Sequence, residues 1–212
     1  IPNAVGVDIG CGVVFEQTSV KVEEVFKGTI GKRLLEVMVS EILRAIPTGF
    51  EHHKLKQDCE VAARFEKILE SIELGGFEKP LLQETERACY QVGTLGGGNH
   101  FIELQEDDEG YLCLMVHSGS RNVGHTLCTH FNKLAKGLSE KHPWRIPAKW
   151  DLAYLPVESP EGQAYIRWMG FALDFAHENR EVILYRVRHI VGKALAPRLA
   201  NQGFEILAHH HC

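Results

Sequence analysis

The most constraining feature of this sequence is a long run of apolar residues at helical spacing close to its C-terminal end. Between residues 161 and 195, the side chains of Tyr165, Trp168, Ala172 and Phe175 recur at intervals of three or four, which predicts one long amphipathic helix. Such a helix has to bury its apolar stripe against other elements. A chain of 212 residues is long enough to supply a sizeable core for that purpose.

Shorter patterns of both kinds precede and follow the long helix. They are, in chain order, a strand over 5–15, helices over 31–46 and 55–72, a hairpin over 101–116, a helix over 123–139, a loop over 142–160 and a strand over 204–208. Strands and helices alternate irregularly, without a regular βαβ rhythm. We therefore predict an α+β fold in which mixed β-sheets are flanked by helices.

Charge and composition exclude several classes of protein. The net charge of -5 argues against a broad nucleic-acid-binding surface, although a local basic groove is compatible with it. No apolar run approaches the ~18 residues that a bilayer span requires, and no signal segment opens the chain. The six cysteines show no paired spacing, which is typical of reduced thiols. We expect a soluble cytoplasmic protein that binds no membrane.

The first segment with chemical potential places Asp8 and Cys11 among glycines 6, 10 and 12. Glycine permits a tight turn, so a carboxylate and a thiol three residues apart can converge on one cation. The alternative interpretation is a capped turn that happens to contain a buried thiol.

Two further glycine-rich segments carry histidines, one at each end of the predicted hairpin. Three consecutive glycines precede Asn99 and His100, and their backbone N–H groups suit phosphate oxygens. His100 could bind a metal or act as an acid–base group, and Asn99 and Glu103 could reach a polar ligand. After the hairpin, His117 is followed by two serines, a glycine and Arg121, a cation suited to bidentate phosphate contact. The alternative interpretation of the first segment is a hairpin entry with a solvated histidine. The alternative interpretation of the second is a hydrogen-bonded turn.

Three consecutive histidines end the last strand-like run. Because side chains alternate along a strand, His209 and His211 point one way and His210 points the other. A purification-tag remnant is the alternative, although the run leads into them as a natural strand would. The full candidate ligand set is Asp8, Cys11, His100, His117 and one terminal histidine. If these residues converge in space, such a set suits Mn²⁺, Zn²⁺ or Co²⁺.

Five ordered motifs of this sequence resemble the RtcB-type RNA ligases. Three are long: Asp-Ile-Gly-Cys-Gly at 8–12, Gly-Gly-Gly-Asn-His-Phe-Ile-Glu at 96–103 and His-Ser-Gly-Ser-Arg at 117–121. Two weaker landmarks are Ile-Pro-Thr-Gly at 46–49 and Phe-Ala-His-Glu-Asn-Arg at 175–180. Because the motifs follow the family order and extend over nearly the whole chain, the resemblance is specific.

The resemblance implies a ligase that depends on Mn²⁺, with two ions expected, and on GTP. Its substrates would be RNA ends that carry a 3′-phosphate or 2′,3′-cyclic phosphate and RNA ends that carry a 5′-hydroxyl. The metal ligands that the resemblance implies are Asp8, Cys11, His100, His117 and a histidine that the family follows with asparagine. His210 is the best match to that histidine, but His211 stands where asparagine is expected, so His209 and His211 are rivals.

The resemblance also implies that Asn99 lies near the GTP phosphates and that Glu103 reads the guanine. Because family members are considerably longer, we expect residues 1–212 to form a single RtcB-like domain that lacks N-terminal and C-terminal family segments. The histidine that accepts GMP is expected downstream of Cys212, and without it this chain alone should not ligate RNA.

Two other functions are compatible with the same residues: a metal-dependent phosphoester hydrolase and a non-catalytic metal-binding domain. GTP-independent turnover, or the absence of guanine selectivity, would favour them. For RNA binding, a local basic groove could use Arg121, Arg180, Arg186 and Arg188. A solvated helix face is the favoured interpretation of the last three arginines.

Overall fold

The computed structural model describes residues 1–140, 147–199 and 203–212, so part of the predicted loop over 142–160 lies outside the described residues. In chain order the elements are α1 (Pro2–Val5), β1 (Gly12–Lys21), α2 (Val22–Val25), α3 (Gly28–Ala45), α4 (Glu60–Glu70), α5 (Gln83–Gln91), β2 (Phe101–Glu106), β3 (Tyr111–Ser118), α6 (Arg121–Ser139), α7 (Pro160–Leu199) and β4 (Ile206–His211), with short 3₁₀ helices at Lys79–Leu81 and Ala148–Trp150.

The described residues divide into two compact units. The first comprises Ile1–Cys11, Lys54–Val92 and Gly119–Glu178, and the second comprises Gly12–His53, Gly93–Ser118 and Asn179–Cys212. The helix α7 therefore contributes residues 160–178 to the first unit and residues 179–199 to the second.

The first unit is helical in its described residues and is built around aromatic side chains. Phe65 of α4 stacks on Phe171 of α7 with ring centroids 4.5 Å apart, and Trp168 meets Phe65 in a T-shaped arrangement with centroids 4.9 Å apart. The indole Nε1 of Trp168 donates to the buried Glu78 carboxylate at 3.0 Å, and Arg167 donates to the same oxygen at 2.7 Å. The apolar stripe predicted for the long helix thus forms this core, and the indole N–H of Trp168 has a hydrogen-bond partner inside it.

The second unit contains a four-stranded sheet in the order β2-β3-β1-β4. All three strand pairs are antiparallel, and the register places His117 of β3 opposite Val13 of β1 and His210 of β4 opposite Phe15. Among the described residues, parallel pairing occurs only as an isolated bridge between Thr48 and Gly96. The α+β class is confirmed, and the pairing within the sheet is antiparallel rather than mixed.

The two faces of this sheet differ in chemistry. Along β1 the even-numbered side chains, including Val14 and Glu16, are buried, while the odd-numbered ones are only half-buried. The buried face packs with apolar residues of α3 and of the C-terminal half of α7. Directly opposed residues of antiparallel strands share a face. Phe15, His117 and His210 therefore lie together on the face opposite that core.

The prediction of a strand over residues 5–15 is wrong in its first half. Residues 2–5 form α1, and a turn follows in which Gly6 and Gly10 have φ angles of 88° and 74°. These left-handed conformations are incompatible with an extended strand, so β1 begins only at Gly12 and continues to Lys21. The predicted hairpin, the long helix and the helix over 31–46 are confirmed. None of the described helices has the length and apolar character needed to cross a membrane.

Candidate metal centre

His100 is the first residue of the centre that the fold orients. Its Nδ1 lies 2.9 Å from the backbone carbonyl oxygen of Leu95 in the preceding loop. A carbonyl oxygen can only accept, so Nδ1 carries the proton and Nε2 presents a lone pair. The same Leu95 oxygen also accepts a hydrogen bond from the Ser118 hydroxyl at 2.8 Å. The Leu95 carbonyl oxygen therefore holds both His100 and the end of β3 to the loop that contains Leu95.

His117 is oriented in the same way from a different strand. Its Nδ1 lies 3.0 Å from the carbonyl oxygen of Gly12, which follows Cys11 in the sequence, and its Nε2 lies 3.3 Å from the Asn99 amide nitrogen. The carbonyl assigns the proton to Nδ1, so Nε2 is the acceptor and the Asn99 NH₂ group is the donor. The rings of His100 and His117 stand 5.4 Å apart at 82°. Two imidazoles with the same tautomer thus lie side by side in the second unit.

Glu103 lies on β2, at the edge of the sheet, and its side chain is exposed. It accepts a hydrogen bond from the Gln105 amide at 2.5 Å. Glu103 also lines a cleft of about 500 Å³ whose other walls come from β2, α3 and the segment around Leu95. Most of these walls are apolar, including Leu35 and Val39 of α3. A cleft of this size and character is typical of sites for small organic groups.

Asp8 and Cys11 occupy one turn of the first unit. The Asp8 backbone carbonyl accepts a hydrogen bond from Cys11 N at 3.1 Å, and Asp8 Oδ1 accepts one from Ser120 N at 3.2 Å. A Cβ atom at Gly119 would overlap Asp8 Oδ1, so only glycine leaves room for the carboxylate. Cys11 is exposed, which contradicts the interpretation of its thiol as incidentally buried. The turn therefore presents a carboxylate and an accessible thiol from positions three residues apart.

Arg121 lies close to the same carboxylate and begins α6 in an unusual conformation. Its φ angle is 56°, and a non-glycine residue in this region is strained. Burial lowers the pKa of the Arg121 guanidinium, and the charge of Asp8 acts in the opposite direction. Strained backbone and a desolvated cation both concentrate at functional sites.

The three terminal histidines divide between the two faces of the sheet. His210 lies on the face that carries His117, by the register described above. His209 and His211 lie on the opposite face, where His209 Nδ1 is 2.9 Å from Glu16 Oε1 and His211 Nε2 is 2.7 Å from Glu181 Oε1. The predicted alternation of side chains along the strand is present, and it places His210 on a different face from His209 and His211.

Asn179 connects these segments within the second unit, although the sequence analysis assigns it no role beyond membership of a motif. Asn179 is fully buried, and its Oδ1 accepts from the backbone N–H of Gly93 at 2.7 Å and of Thr94 at 3.2 Å. Its Nδ2 donates to the Thr94 carbonyl and to the Ser118 hydroxyl, both at 3.1 Å. Arg180 adds a hydrogen bond to the Ser118 carbonyl at 3.1 Å. An amide at a buried position of a helix is the signal that could have identified Asn179.

The interpretation of the helix arginines as a solvated face is wrong. Arg180 is buried, and Arg186 donates to the Gly93 carbonyl at 2.9 Å. Arg188 pairs with the buried Glu16 carboxylate at 3.2 Å. These guanidinium groups hold loops and a buried acid inside the second unit, so they do not form an open basic groove either.

The chain is similar in sequence to proteins of one family. A family model described as tRNA-splicing ligase RtcB matches residues 1–212. The chain is 30% identical to the tRNA-splicing ligase RtcB of Nanoarchaeum equitans over 99% of this chain, and 30% identical to that of Archaeoglobus fulgidus over 97%. It is 29% identical to the RNA-splicing ligase RtcB of Escherichia coli over 88% of the chain.

The same comparisons show how much of these relatives the chain represents. The alignments cover 50% of the Nanoarchaeum protein, 49% of the Archaeoglobus protein and 46% of the Escherichia protein. The chain therefore spans about half the length of the curated relatives it matches.

Proposed function

Because the chain belongs to the RtcB family of tRNA-splicing ligases, we propose that it is part of a cytoplasmic RNA ligase that uses Mn²⁺ and GTP. The reaction joins an RNA end with a 3′-phosphate or 2′,3′-cyclic phosphate to an end with a 5′-hydroxyl. The observation that carries the metal assignment is the tautomer shared by His100 and His117. Both rings donate Nδ1–H to backbone carbonyls, at 2.9 and 3.0 Å, as metal-binding histidines commonly do.

The proposed Mn²⁺ ligands, with two ions expected, are Asp8, Cys11, His100, His117 and His210. The donor set fits such ions, since imidazole and carboxylate bind Mn²⁺ and the softer thiolate of an exposed cysteine also accepts Zn²⁺ or Co²⁺. Bound Mn²⁺ would orient phosphate oxygens and neutralise the charge that develops in phosphoryl transfer.

Two side chains are proposed to hold phosphate groups directly. Mn²⁺ at His117 Nε2 would take the lone pair that accepts from the Asn99 amide, and the N–H groups of that amide can then donate to a phosphate oxygen. The Arg121 guanidinium presents paired donors that match two phosphate oxygens. A bound phosphate would add negative charge near a cation whose pKa burial lowers, and so would stabilise its protonated form.

Glu103 is proposed to select guanine. A carboxylate accepts two N–H groups at once, and guanine presents adjacent donors at N1 and N2 that adenine lacks. The cleft of about 500 Å³ that Glu103 lines is large enough for a purine and is mostly apolar. The histidine that accepts GMP is expected downstream of Cys212, beyond the residues of this chain.

The test is an RNA joining assay with the full-length protein that carries these residues. We expect a joined product only when Mn²⁺ and GTP are both present, and an intact-mass gain of one GMP when RNA is omitted. His100→Ala and Cys11→Ala should abolish both signals. His189→Ala, on the exposed surface of α7, is the matched control and should retain both.

The same experiment separates the alternatives. Cleavage of a phosphoester without GTP, and without a change of mass, would replace the ligase with a metal-dependent hydrolase. Metal binding with neither turnover nor preference for GTP over ATP would indicate a non-catalytic metal-binding protein. Either outcome would overturn the proposed ligase.

A further inference from the structure

A second cluster of metal-binding atoms lies at the solvent-accessible β4 edge of the sheet, on the face opposite the one that carries His117 and His210. His209 Nε2 is 3.1 Å from His211 Nε2 and 3.2 Å from Glu181 Oε1, and His211 Nε2 is 2.7 Å from the same oxygen. Three ligand atoms, two imidazole nitrogens and one carboxylate oxygen, therefore lie within 3.2 Å of one another. All three residues belong to the second unit.

The orientation of the His209 ring is set by Glu16, which β1 places opposite His209. Glu16 is 1% exposed, and its Oε1 lies 2.9 Å from His209 Nδ1 and 3.2 Å from Arg188. Arg188 balances the charge of Glu16, so His209 can be neutral, donate Nδ1–H to Glu16 and direct the lone pair of Nε2 into the cluster. A carboxylate on the second ring nitrogen is the usual support of a metal-binding histidine.

The cluster then holds one proton where a metal ion would fit. His209 Nε2 and His211 Nε2 are hydrogen-bonded at 3.1 Å, so with His209 Nε2 as the acceptor His211 Nε2–H is the donor. Glu181 Oε1 lies 2.7 Å from His211 Nε2, but it is buried and makes no hydrogen bond within the described part of the chain. A divalent cation can replace that proton, releasing it to solvent, and accept all three lone pairs. Ligand atoms at about 2.0–2.2 Å from a Zn²⁺-like ion lie about 3.0–3.5 Å apart in octahedral or tetrahedral geometry, close to the spacing described above.

We propose that His209, His211 and Glu181 bind a divalent transition-metal ion such as Zn²⁺ or Co²⁺, with Glu16 fixing the His209 ring. Two imidazoles and one carboxylate form a ligand set that these ions favour. The side chains of His209, His211 and Glu181 are 36%, 28% and 37% exposed, so an ion can enter from solvent and complete its coordination with water. This site is independent of the ligase proposal, because it uses none of the residues assigned there.

The test is the cobalt content of the purified chain after loading with Co²⁺ and removal of excess ion. His211→Gln and Glu181→Gln should each lower bound cobalt by one equivalent relative to the unmodified protein. The lost equivalent should lack a thiolate-to-cobalt charge-transfer band, which the Cys11 site would show, and the loss should persist in a Cys11→Ser background. His189→Gln, an exposed histidine on the same helix as Glu181, should leave the content unchanged.

Two results would overturn this assignment. One is an unchanged cobalt content in both His211→Gln and Glu181→Gln, which would make the cluster an ion pair in which a protonated His209 lies between two glutamates. The other is loss of an equivalent that carries the thiolate band. Because Glu181→Gln is isosteric and half-exposed, it keeps the fold even if the histidine variant does not, and circular dichroism of both variants establishes this directly.

Discussion

Replacing Asn179 with alanine removes the residue that holds the glycine-rich loop to the end of β3. The side chain makes at least four hydrogen bonds in a fully buried position, to the backbone N–H of Gly93 and Thr94, to the Thr94 carbonyl and to the Ser118 hydroxyl. Alanine makes none of these bonds. Water cannot easily replace them, because the groups that remain are themselves buried.

The expected loss of stability follows from this count. A typical hydrogen bond contributes about 1 kcal/mol net, and a buried group left without a partner costs about 1–3 kcal/mol. Four bonds to buried partners therefore give a loss of about 4 kcal/mol in the free energy of unfolding. The loss reaches the metal centre as well, since Ser118 and His100 donate to the same Leu95 carbonyl. Asn179 is thus a positioning residue for His100.

Urea denaturation measures the loss of stability, which should appear as a lower unfolding midpoint with an unchanged slope. The effect on the metal centre is measured as Mn²⁺ binding, followed by electron paramagnetic resonance in the absence of denaturant. Mn²⁺ binding should be weaker in the folded variant. Asn122→Ala is the control, because within residues 1–140, 147–199 and 203–212 that exposed side chain donates only to Thr126. Its loss should change stability by less than about 0.5 kcal/mol. An Asn179→Ala protein as stable as the control would refute the reasoning.

Two further outcomes are expected. Gly119→Ala should weaken metal binding, because the added methyl group displaces the Asp8 carboxylate. The control is Gly137→Ala, in open space on α6, which should preserve metal binding and stabilise the helix by about 0.5–1 kcal/mol. Equal metal affinity in the two variants would contradict this prediction. In alkylation at pH 8 followed by peptide mass spectrometry, exposed Cys11 should react before Cys113, because burial raises the pKa of the Cys113 thiol to about 11. Mn²⁺ should slow the labelling of Cys11, and equal rates with and without the ion would argue against its role as a ligand.

Much of the secondary structure followed from periodicity alone. The helix α3 and the long helix α7 were predicted because apolar residues at intervals of three and four identify a face that must be buried. The strand over 5–15 failed because a run of Val, Ile and Phe has the same composition in a turn as in a strand. Only the φ angles of Gly6 and Gly10 decide between them, and a sequence does not state the sign of φ.

The candidate ligands were also identified from the sequence, whereas the residues that orient them were not. His100 and His117 are conspicuous because glycines surround them, but their tautomers depend on carbonyl oxygens of Leu95 and Gly12. Every residue has a carbonyl, so residue type gives no indication of which one accepts. Asn179 acts through tertiary hydrogen bonds to a loop 85 and 86 residues away, a relation that helical periodicity cannot reveal.

The three terminal histidines show how much depends on register. Reciprocal backbone hydrogen bonds between Val13 and Cys212, at 2.8 and 2.9 Å, fix β4 against β1. Because side chains alternate, a slip of one residue would move His210 to the buried face and bring His209 and His211 to the face of His117. The buried Glu16 carboxylate opposes such a slip, since it would lose its contact with His209. The acid that supports the proposed second metal site therefore also keeps His210 on the face where the first site needs it.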